Sequence, residues 1–293
     1  MKRLKNLALN KMPWKLRDSY KYYRAFGMLP DLKIPKTFNE KVLYRKRFLC
    51  TDNENYTMLA DKFLVREYVK SCVGEKYLIP LVEHFDDVHS LADVVKNLEH
   101  CVVKPNHGAG MVKVINDKLK EEEVAALLIE AESWLKTDFS IQSCEFHYQN
   151  IKRKLLIEKR IGDGVAALTD YKYHLFKQPD GSVFFVLQLI DDRFEGALSR
   201  TFYINNFTEA YSGTHEIGEE LLPLVQQGLE LSIKLLGDLE YARIDWYIHE
   251  DELYFGEVTL TPAAGFGIGY GRDLDVLMGN KWHMSDTSNL VPA

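Results

Sequence analysis

Residues Tyr241 to Pro262 read YARIDWYIHEDELYFGEVTLTP and alternate with a period of two on either side of a polar turn, His249-Glu250-Asp251-Glu252. β-Branched and aromatic residues dominate both arms, which is the pattern of a β-hairpin. Symmetric pairing about Asp251 sets Asp245 opposite Glu257, Arg243 opposite Thr259 and Tyr247 opposite Phe255, all on one face. Ile244, Trp246, Ile248, Tyr254 and Val258 then form an apolar second face that can be buried.

Directly opposed residues of an antiparallel pair have Cβ atoms roughly 5 Å apart. Two carboxylates at that separation repel by ~3 kcal/mol at an effective dielectric of about 20, which moves a protonation equilibrium by about two orders of magnitude. Three arrangements relieve the repulsion: one acid keeps its proton, Arg243 offsets one charge, or a divalent cation lies between Asp245 and Glu257. Mg²⁺ is commonly held by one or two carboxylates plus substrate phosphates, so the third arrangement predicts a nucleotide site. A solvated salt-bridge face on a surface hairpin accounts for the same residues without any ligand.

The chain has 293 residues, 46% of them hydrophobic and 27% charged, enough for one multi-lobed unit or two small domains with a full core. No apolar run reaches the ~20 residues that span a bilayer. The N-terminus, MKRLKNLALNKMPWK, lacks the apolar core and cleavage site of a signal peptide. Cys50, Cys72, Cys101 and Cys144 are scattered, with no C-x-x-C pair, so neither a zinc site nor a disulfide framework is predicted. A cytoplasmic protein is the expectation.

Charge is divided unevenly. Residues 1–47 carry 14 Lys or Arg against three acids, whereas the remainder holds 23 basic and 40 acidic side chains. Such a basic arm can dock on the acidic body, or meet an anionic polysaccharide, a lipid-linked saccharide or a membrane surface. No recognised binding module accompanies the charge, so nucleic acid is not expected as a partner.

Residues 1–30 have a basic, aromatic-rich helical pattern. A second helix is predicted from Asn55 to Ser71, with Leu59, Phe63, Leu64 and Tyr68 inward. Cys101 to Lys104 and Val112 to Ile115 are short strands joined by Asn106-His107-Gly108-Ala109-Gly110-Met111. Backbone N–H groups of such a glycine turn could cover phosphates, with Lys104 at its base, although it fits neither a Walker A loop nor G-x-G-x-x-G. Asp117 to Lys136 is an amphipathic helix, and Lys154 to Ile161 a strand. Asp170 to Phe176 alternates, placing Asp170, Lys172 and His174 on one face, and pairs through the turn QPDG with Val183 to Ile190. A helix from near Glu219 to Leu236 turns Leu222, Val225, Leu229, Ile233 and Leu236 inward.

The order of these parts resembles the ATP-grasp superfamily, and the wording of several segments resembles its TupA-like branch, associated with teichuronopeptide and capsular polysaccharide clusters. The matching pieces are PKTFNEK (35–41), ADKFLVREYV (60–69), YLIP (77–80), VKPNHGAG (103–110), LIEK (156–159), DYK (170–172) and FGEVTLTP (255–262). The resemblance implies an α+β fold in which two lobes clamp ATP. Residues 1–55 would form a short basic helical region, 56–157 the N-terminal lid lobe and 158–293 the C-terminal lobe with the metal hairpin.

It further implies that Lys104 contacts the α- and β-phosphates beneath the loop Asn106, His107, Gly108, Ala109 and Gly110. Glu158, Lys159 and Ile161 would hold adenine, mostly through backbone groups, with Lys62 and Lys172 as further nucleotide contacts. Asp245 and Glu257 would bind Mg²⁺, and Arg243 would meet the transferring phosphoryl group. Thr259 departs from the family pattern, standing where many such ligases have a metal-binding Asn; a hydroxyl oxygen could serve. Arg193 is a candidate to grip a substrate carboxylate, since its fork of donors suits one, and a structural ion pair would explain it equally. Gly265, Gly267, Gly269 and Gly271 follow the metal strand and are expected to form a loop near the acyl site.

The implied reaction is an ADP-forming ligation of a carboxylate to an amine through an acylphosphate. By analogy with the branch, the acid would be a uronic acid of a surface polysaccharide or its precursor and the amine an amino acid. A phosphotransferase acting on a saccharide hydroxyl is the alternative on the same scaffold. A nucleotide-sensing or scaffold protein without turnover is a third reading, opposed by the intact set Lys104, Arg243, Asp245 and Glu257.

Overall fold

A computed structural model describes residues 12–162, 168–191 and 199–284. Two antiparallel sheets dominate the described residues. The smaller runs in the order β1 (Leu81–Phe85), β4 (Leu155–Lys159), β2 (Cys101–Pro105), β3 (Lys113–Ile115). The larger runs β10 (Glu252–Thr259), β9 (Tyr241–His249), β5 (Asp170–Lys177), β6 (Val183–Asp191), β7 (Ser199–Ile204), β8 (Ala210–Ser212). The mixed α+β class expected from the sequence is the one observed.

Periodicity explains which faces are covered. In β2, alternate residues Cys101, Val103 and Pro105 are buried, and Val103 packs with Ile115, Leu155 and Ile157 against Leu91 of helix α5 (Val88–Val94) and Leu127, Ala131 and Trp134 of helix α6 (Glu121–Lys136). Strands β5 and β6 are buried along nearly their whole length because the large sheet is covered on both sides. Helix α8 (Leu222–Leu236) and helices α3 (Glu54–Ala60) and α4 (Val65–Cys72) supply one layer, around Tyr173, Leu187, Ile244 and Trp246. Helix α2 (Phe38–Phe48) and helix α9 (Gly271–Lys281) supply the other, around Phe176, Val186, Phe202 and Trp282.

The basic N-terminal region is partly internal. Helix α1 (Trp14–Phe26) buries Arg17, Asp18 and Tyr22. Helix α2 starts at a capping box, Thr37 with Glu40, which satisfies two otherwise unpaired backbone N–H groups. Arg45 is buried with its guanidinium 4.4 Å from the Trp282 ring and donates to the Tyr241 carbonyl at 2.8 Å. Lys46 pairs with Asp18 at 3.0 Å, both fully buried. Arg45 thus docks the arm onto the body, while the Lys46–Asp18 pair lies within the arm itself.

Three expectations are corrected. The helix expected over 55–71 is two, broken at Asp61–Leu64, where the Asp61 carboxylate accepts from the backbone N–H of Phe63 at 2.8 Å and Leu64 at 3.3 Å. This side-chain cap competes with helix continuation, and it leaves Leu64 exposed rather than inward. In α8, Ile233 is exposed, and Leu231 and Leu235 take the core positions with Val225 and Leu236. Strands β7 and β8 and helix α9 add to the elements expected from the sequence. Arg193 lies outside the described residues.

Candidate active site

The terminal hairpin turns through Glu250 and Asp251, whose φ values of 49° and 58° are both positive, the two-residue turn whose twist suits paired strands. From that turn the register sets Tyr247 opposite Tyr254 and Trp246 opposite Phe255, then shifts by one residue between Phe255 and Glu257. Gly256 is the extra residue of this bulge. Beyond it Asp245 faces Glu257 and Arg243 faces Thr259, as expected. The expected Tyr247–Phe255 pair does not form, because the turn is centred between Glu250 and Asp251 and not on Asp251. Phe255 instead belongs to the core, its ring centroid 5.8 Å from that of Trp246.

Strand β5 lies beside β9 and brings Lys172 opposite Asp245 and His174 opposite Arg243. One sheet face thus carries Glu257, Asp245 and Lys172 in a row across three strands. Arg243 donates from Nε to Asp245 Oδ1 at 2.7 Å and from a terminal nitrogen to Asp245 Oδ2 at 2.7 Å and Glu257 Oε1 at 3.0 Å. Lys172 bonds Asp245 and also Asp170, the latter at 3.2 Å. Thr259 donates to Glu257 Oε1 at 3.0 Å and accepts from Arg243 at 2.9 Å.

Both acids are held ionised. Burial disfavours the Asp245 carboxylate, but Arg243 and then Lys172 outweigh it and hold its carboxyl below the usual range. Burial likewise opposes ionisation of Glu257, and Lys62, Arg243 and Lys172 together overcome both that and repulsion from Asp245. Of the three ways to relieve opposed carboxylates, the protein by itself uses the arginine. Arg243 is in turn a stronger cation than usual, since Asp245 and Glu257 outweigh its own desolvation.

The opposite wall comes from the small sheet. Lys104 lies 2.5 Å from Glu158 Oε2, and Arg66 lies 3.4 Å from the other oxygen of the same buried carboxylate. The α3–α4 break sends Lys62 across the cleft, where it donates to the Gly108 carbonyl at 2.6 Å and lies 3.9 Å from Glu257 Oε2. Its pKa is lowered, chiefly by burial, with Glu257 opposing the effect and Lys104 adding to it. Gly108 and Gly110 have φ of 74° and 76°, and a Cβ on Gly108 would lie 2.7 Å from the Phe139 ring.

Between the walls is a cleft of about 430 Å³ lined by Lys62, Lys104, Gly108, Ala109, Gly110, Glu158, Lys159, Ile161, Lys172, Asp245 and Glu257. Apolar groups of Ile79, Val102, Met111 and Leu168 line it as well. Asn106 and His107 stand apart from it, since both side chains are buried and engaged with the protein. Asn106 donates to Asp61 at 2.9 Å and accepts from the Lys154 N–H at 2.8 Å, clasping the loop to the α3–α4 break. His107 bonds the Thr137 carbonyl at 3.1 Å.

Among the described residues no group of three or more His, Cys, Asp or Glu side chains is placed to hold a metal. Two opposed carboxylates with a neighbouring hydroxyl nevertheless suit Mg²⁺ bound largely through phosphate oxygens. No sequence motif singles out Tyr148 or Tyr270. Burial raises both phenols, and each feels the Arg243 charge, Tyr148 from the segment after helix α7 (Phe139–Ser143) and Tyr270 from the glycine-rich loop. Tyr270 packs edge-on at 5.6 Å over His174, the cross-strand neighbour of Arg243. Arg200 of β7 lies against Gly269 in the same loop. No local motif marks these residues; only the sheet order brings them together.

A family model described as TupA-like ATP-grasp matches residues 40–283. Among curated proteins no sequence matches. The fold is similar to D-alanine–D-alanine ligase from Helicobacter pylori, with a TM-score of 0.51 and 15% identity over 84% of this chain and 69% of that one. It is also similar to L-amino acid ligase from Bacillus licheniformis, with a TM-score of 0.49 and 17% identity over 87% of this chain and 58% of that one. For N5-carboxyaminoimidazole synthetase from Staphylococcus aureus complexed with ADP the TM-score is 0.48 and the identity 12%, over 78% of this chain and 53% of that one. The chain thus spans between about half and just over two thirds of the length of these structures. With the family model covering most of the sequence, the chain belongs to the TupA-like ATP-grasp family, whose nucleotide and metal are ATP and Mg²⁺.

Proposed function

We propose that the protein joins a carboxylate to an amine at the expense of ATP, releasing ADP and phosphate. The observation that carries this reading is the opposition of Asp245 and Glu257 across β9–β10, with Arg243 bonded to both. Cations from four separate segments, Lys62, Lys104, Lys172 and Arg243, converge on that pair or on the cleft beside it. A triphosphate is the ligand that such an array neutralises.

In this reading Lys104 exchanges its bond to Glu158 for the α- and β-phosphates, and Lys62 keeps the Gly108 turn closed over the nucleotide. Ile161 and Leu168 flank the base with Ile79, while backbone groups of the Glu158–Ile161 segment supply its polar contacts. Asp245 and Glu257 would hold Mg²⁺, which would supply charge neutralisation for the phosphates. Thr259 positions Glu257 and Arg243 through its hydroxyl. A substrate carboxylate oxygen attacks the γ-phosphorus and ADP departs; the amine nitrogen then attacks the acyl carbon and phosphate leaves with the carbonyl restored. Arg243 orients the transferring group, since phosphoryl transfer calls mainly for positioning and charge stabilisation. Tyr148, Tyr270 and Arg200 border the side on which the carboxylate would enter. Arg193 retains its proposed role in gripping that carboxylate.

For substrates, the family resemblance favours a uronic acid carboxyl of a surface polysaccharide or its precursor, with an amino acid as the amine. The test is a matrix of uronic acid acceptors and amino acids, followed by ADP release and product mass. ADP release that requires both partners, with a product heavier by the amine less one water, is expected. A product carrying phosphate on a hydroxyl, formed without any amine, would replace this reading with a phosphotransferase.

A further inference from the structure

Among the described residues, seven of the seventeen exposed large hydrophobic side chains fall between residues 12 and 34: Met12, Leu16, Tyr20, Tyr23, Met28, Leu29 and Ile34. They are not scattered. Leu16, Tyr20 and Tyr23 follow the i, i+4, i+7 spacing, so they form one stripe along α1, opposite the side that buries Arg17, Asp18 and Tyr22. Met28 and Leu29, just past the helix end at Gly27, and Ile34 in the following turn extend the apolar surface.

Cations frame this stripe. At 100° per residue Lys15 and Arg24 fall on its two flanks, and both are exposed, as are Lys33 and Lys36 beyond the helix. Asp31 is the one exposed acid among residues 12–36, and its carboxylate is engaged with the backbone N–H groups of Lys33 and Ile34 at 3.0 Å each. Asp18 is buried on Lys46. An anionic polysaccharide or nucleic acid would need the cations but not exposed Leu, Met and Ile. A bilayer with acidic headgroups needs both: apolar side chains to enter the headgroup–acyl boundary and Lys or Arg to meet the phosphates. Among the described residues no helix is long and apolar enough to cross a membrane, so contact through this surface would be peripheral.

We infer that the outer face of α1 and the following turn form a docking surface for an anionic lipid bilayer. Residues 48–293 carry 23 basic and 40 acidic side chains, so the rest of the protein is repelled by the same surface and the approach is oriented with α1 foremost. The inference is independent of the ligation chemistry, since none of these residues lines the nucleotide cleft.

Flotation of the full-length protein with phosphatidylcholine vesicles, with and without phosphatidylglycerol, tests it. Binding is expected only to the acidic vesicles and is weakened by high salt, each cation contributing about fivefold to partition. The combined variant Leu16→Ser, Tyr20→Ser, Leu29→Ser should lose binding roughly tenfold or more, with its melting temperature and ATP turnover unchanged. The charge variant Lys15→Glu, Arg24→Glu, Lys33→Glu should lose it as well. Absence of flotation with acidic vesicles would overturn the inference, as would flotation that survives the triple serine variant. Flotation appearing only after removal of residues 1–11, or a dimer abolished by the serine variant without vesicle binding, would assign the stripe to the protein itself and equally overturn it.

Discussion

Phe255 and Glu257 are two residues apart on one strand and occupy opposite faces of the large sheet, because Gly256 adds an unpaired residue between them. Phe255 is in the core beside Trp246, and Glu257 stands over the cleft with Arg243. A regular strand would have put both on the same side. A Cβ at Gly256 would lie 3.1 Å from the Asp245 carbonyl and 3.2 Å from the Tyr247 ring, so the bulge has little room for a side chain. Gly256→Val should therefore cost about 1–3 kcal/mol of stability and weaken Mg-ATP binding more than tenfold. Denaturant unfolding and a nucleotide-binding isotherm check the two effects separately.

Glu257→Gln keeps the shape of the side chain and removes its charge. The side chain is 36% accessible, so the lost ion pairs should change stability by no more than about 1 kcal/mol. ADP release should fall by two orders of magnitude or more if the carboxylate holds Mg²⁺. Wild-type turnover in this variant would remove the metal assignment while leaving the fold assignment intact.

Two glycines of the same loop separate strain from overlap. Gly108 and Gly110 both have φ near 75°, but only Gly108 faces a neighbour that a methyl group would strike. Gly110→Ala should cost about 1–2 kcal/mol of loop strain and no more. Gly108→Ala adds overlap with Phe139 and Met111, so it should raise the KM for ATP several-fold more than Gly110→Ala does. Equal effects in steady-state kinetics would show that the Phe139 contact is immaterial.

Acid should destabilise the protein before its carboxylates titrate. Burial lowers the pKa of His107, of His147 to about 3, and of His174 well below the usual imidazole value. In the unfolded chain these imidazoles take up protons below roughly pH 6.5, whereas the folded protein resists protonation. The unfolded state therefore binds more protons as pH falls, and stability declines from about pH 6.5 downward by up to ~1.4 kcal/mol per pH unit for each histidine. Glu145 and Asp275, raised by burial, act in the opposite sense at lower pH. His174 bonds the Tyr241 hydroxyl at 2.9 Å and Gln188 at 3.3 Å, so His174→Gln preserves polar partners. Urea unfolding at pH 7, 6 and 5 should show one histidine's share of the slope removed.

The sequence by itself determined the local elements whose period is strong: the β9–β10 hairpin, the β5–β6 hairpin, helix α6 and the strand–glycine-turn–strand that carries Lys104. It also determined that Asp245 and Glu257 face each other, since two displacements cancelled there: the turn centre lies half a residue earlier than assumed, and the bulge restores the register. Period-two and period-3.6 patterns are local, and burial of one face suffices to select them. What only the tertiary structure decided are features without a local signature. The Asp61 cap that breaks the α3–α4 helix, and so brings Lys62 to Gly108 and Glu257, is held by the Asn106 clasp from a loop distant in the chain. The bond from Lys172 to Asp245 depends on β5 lying beside β9, an order that no turn between them dictates. Strand order and side-chain capping are settled by contacts far apart in the chain, where competing arrangements differ in packing and desolvation and not in any pattern of neighbouring residues.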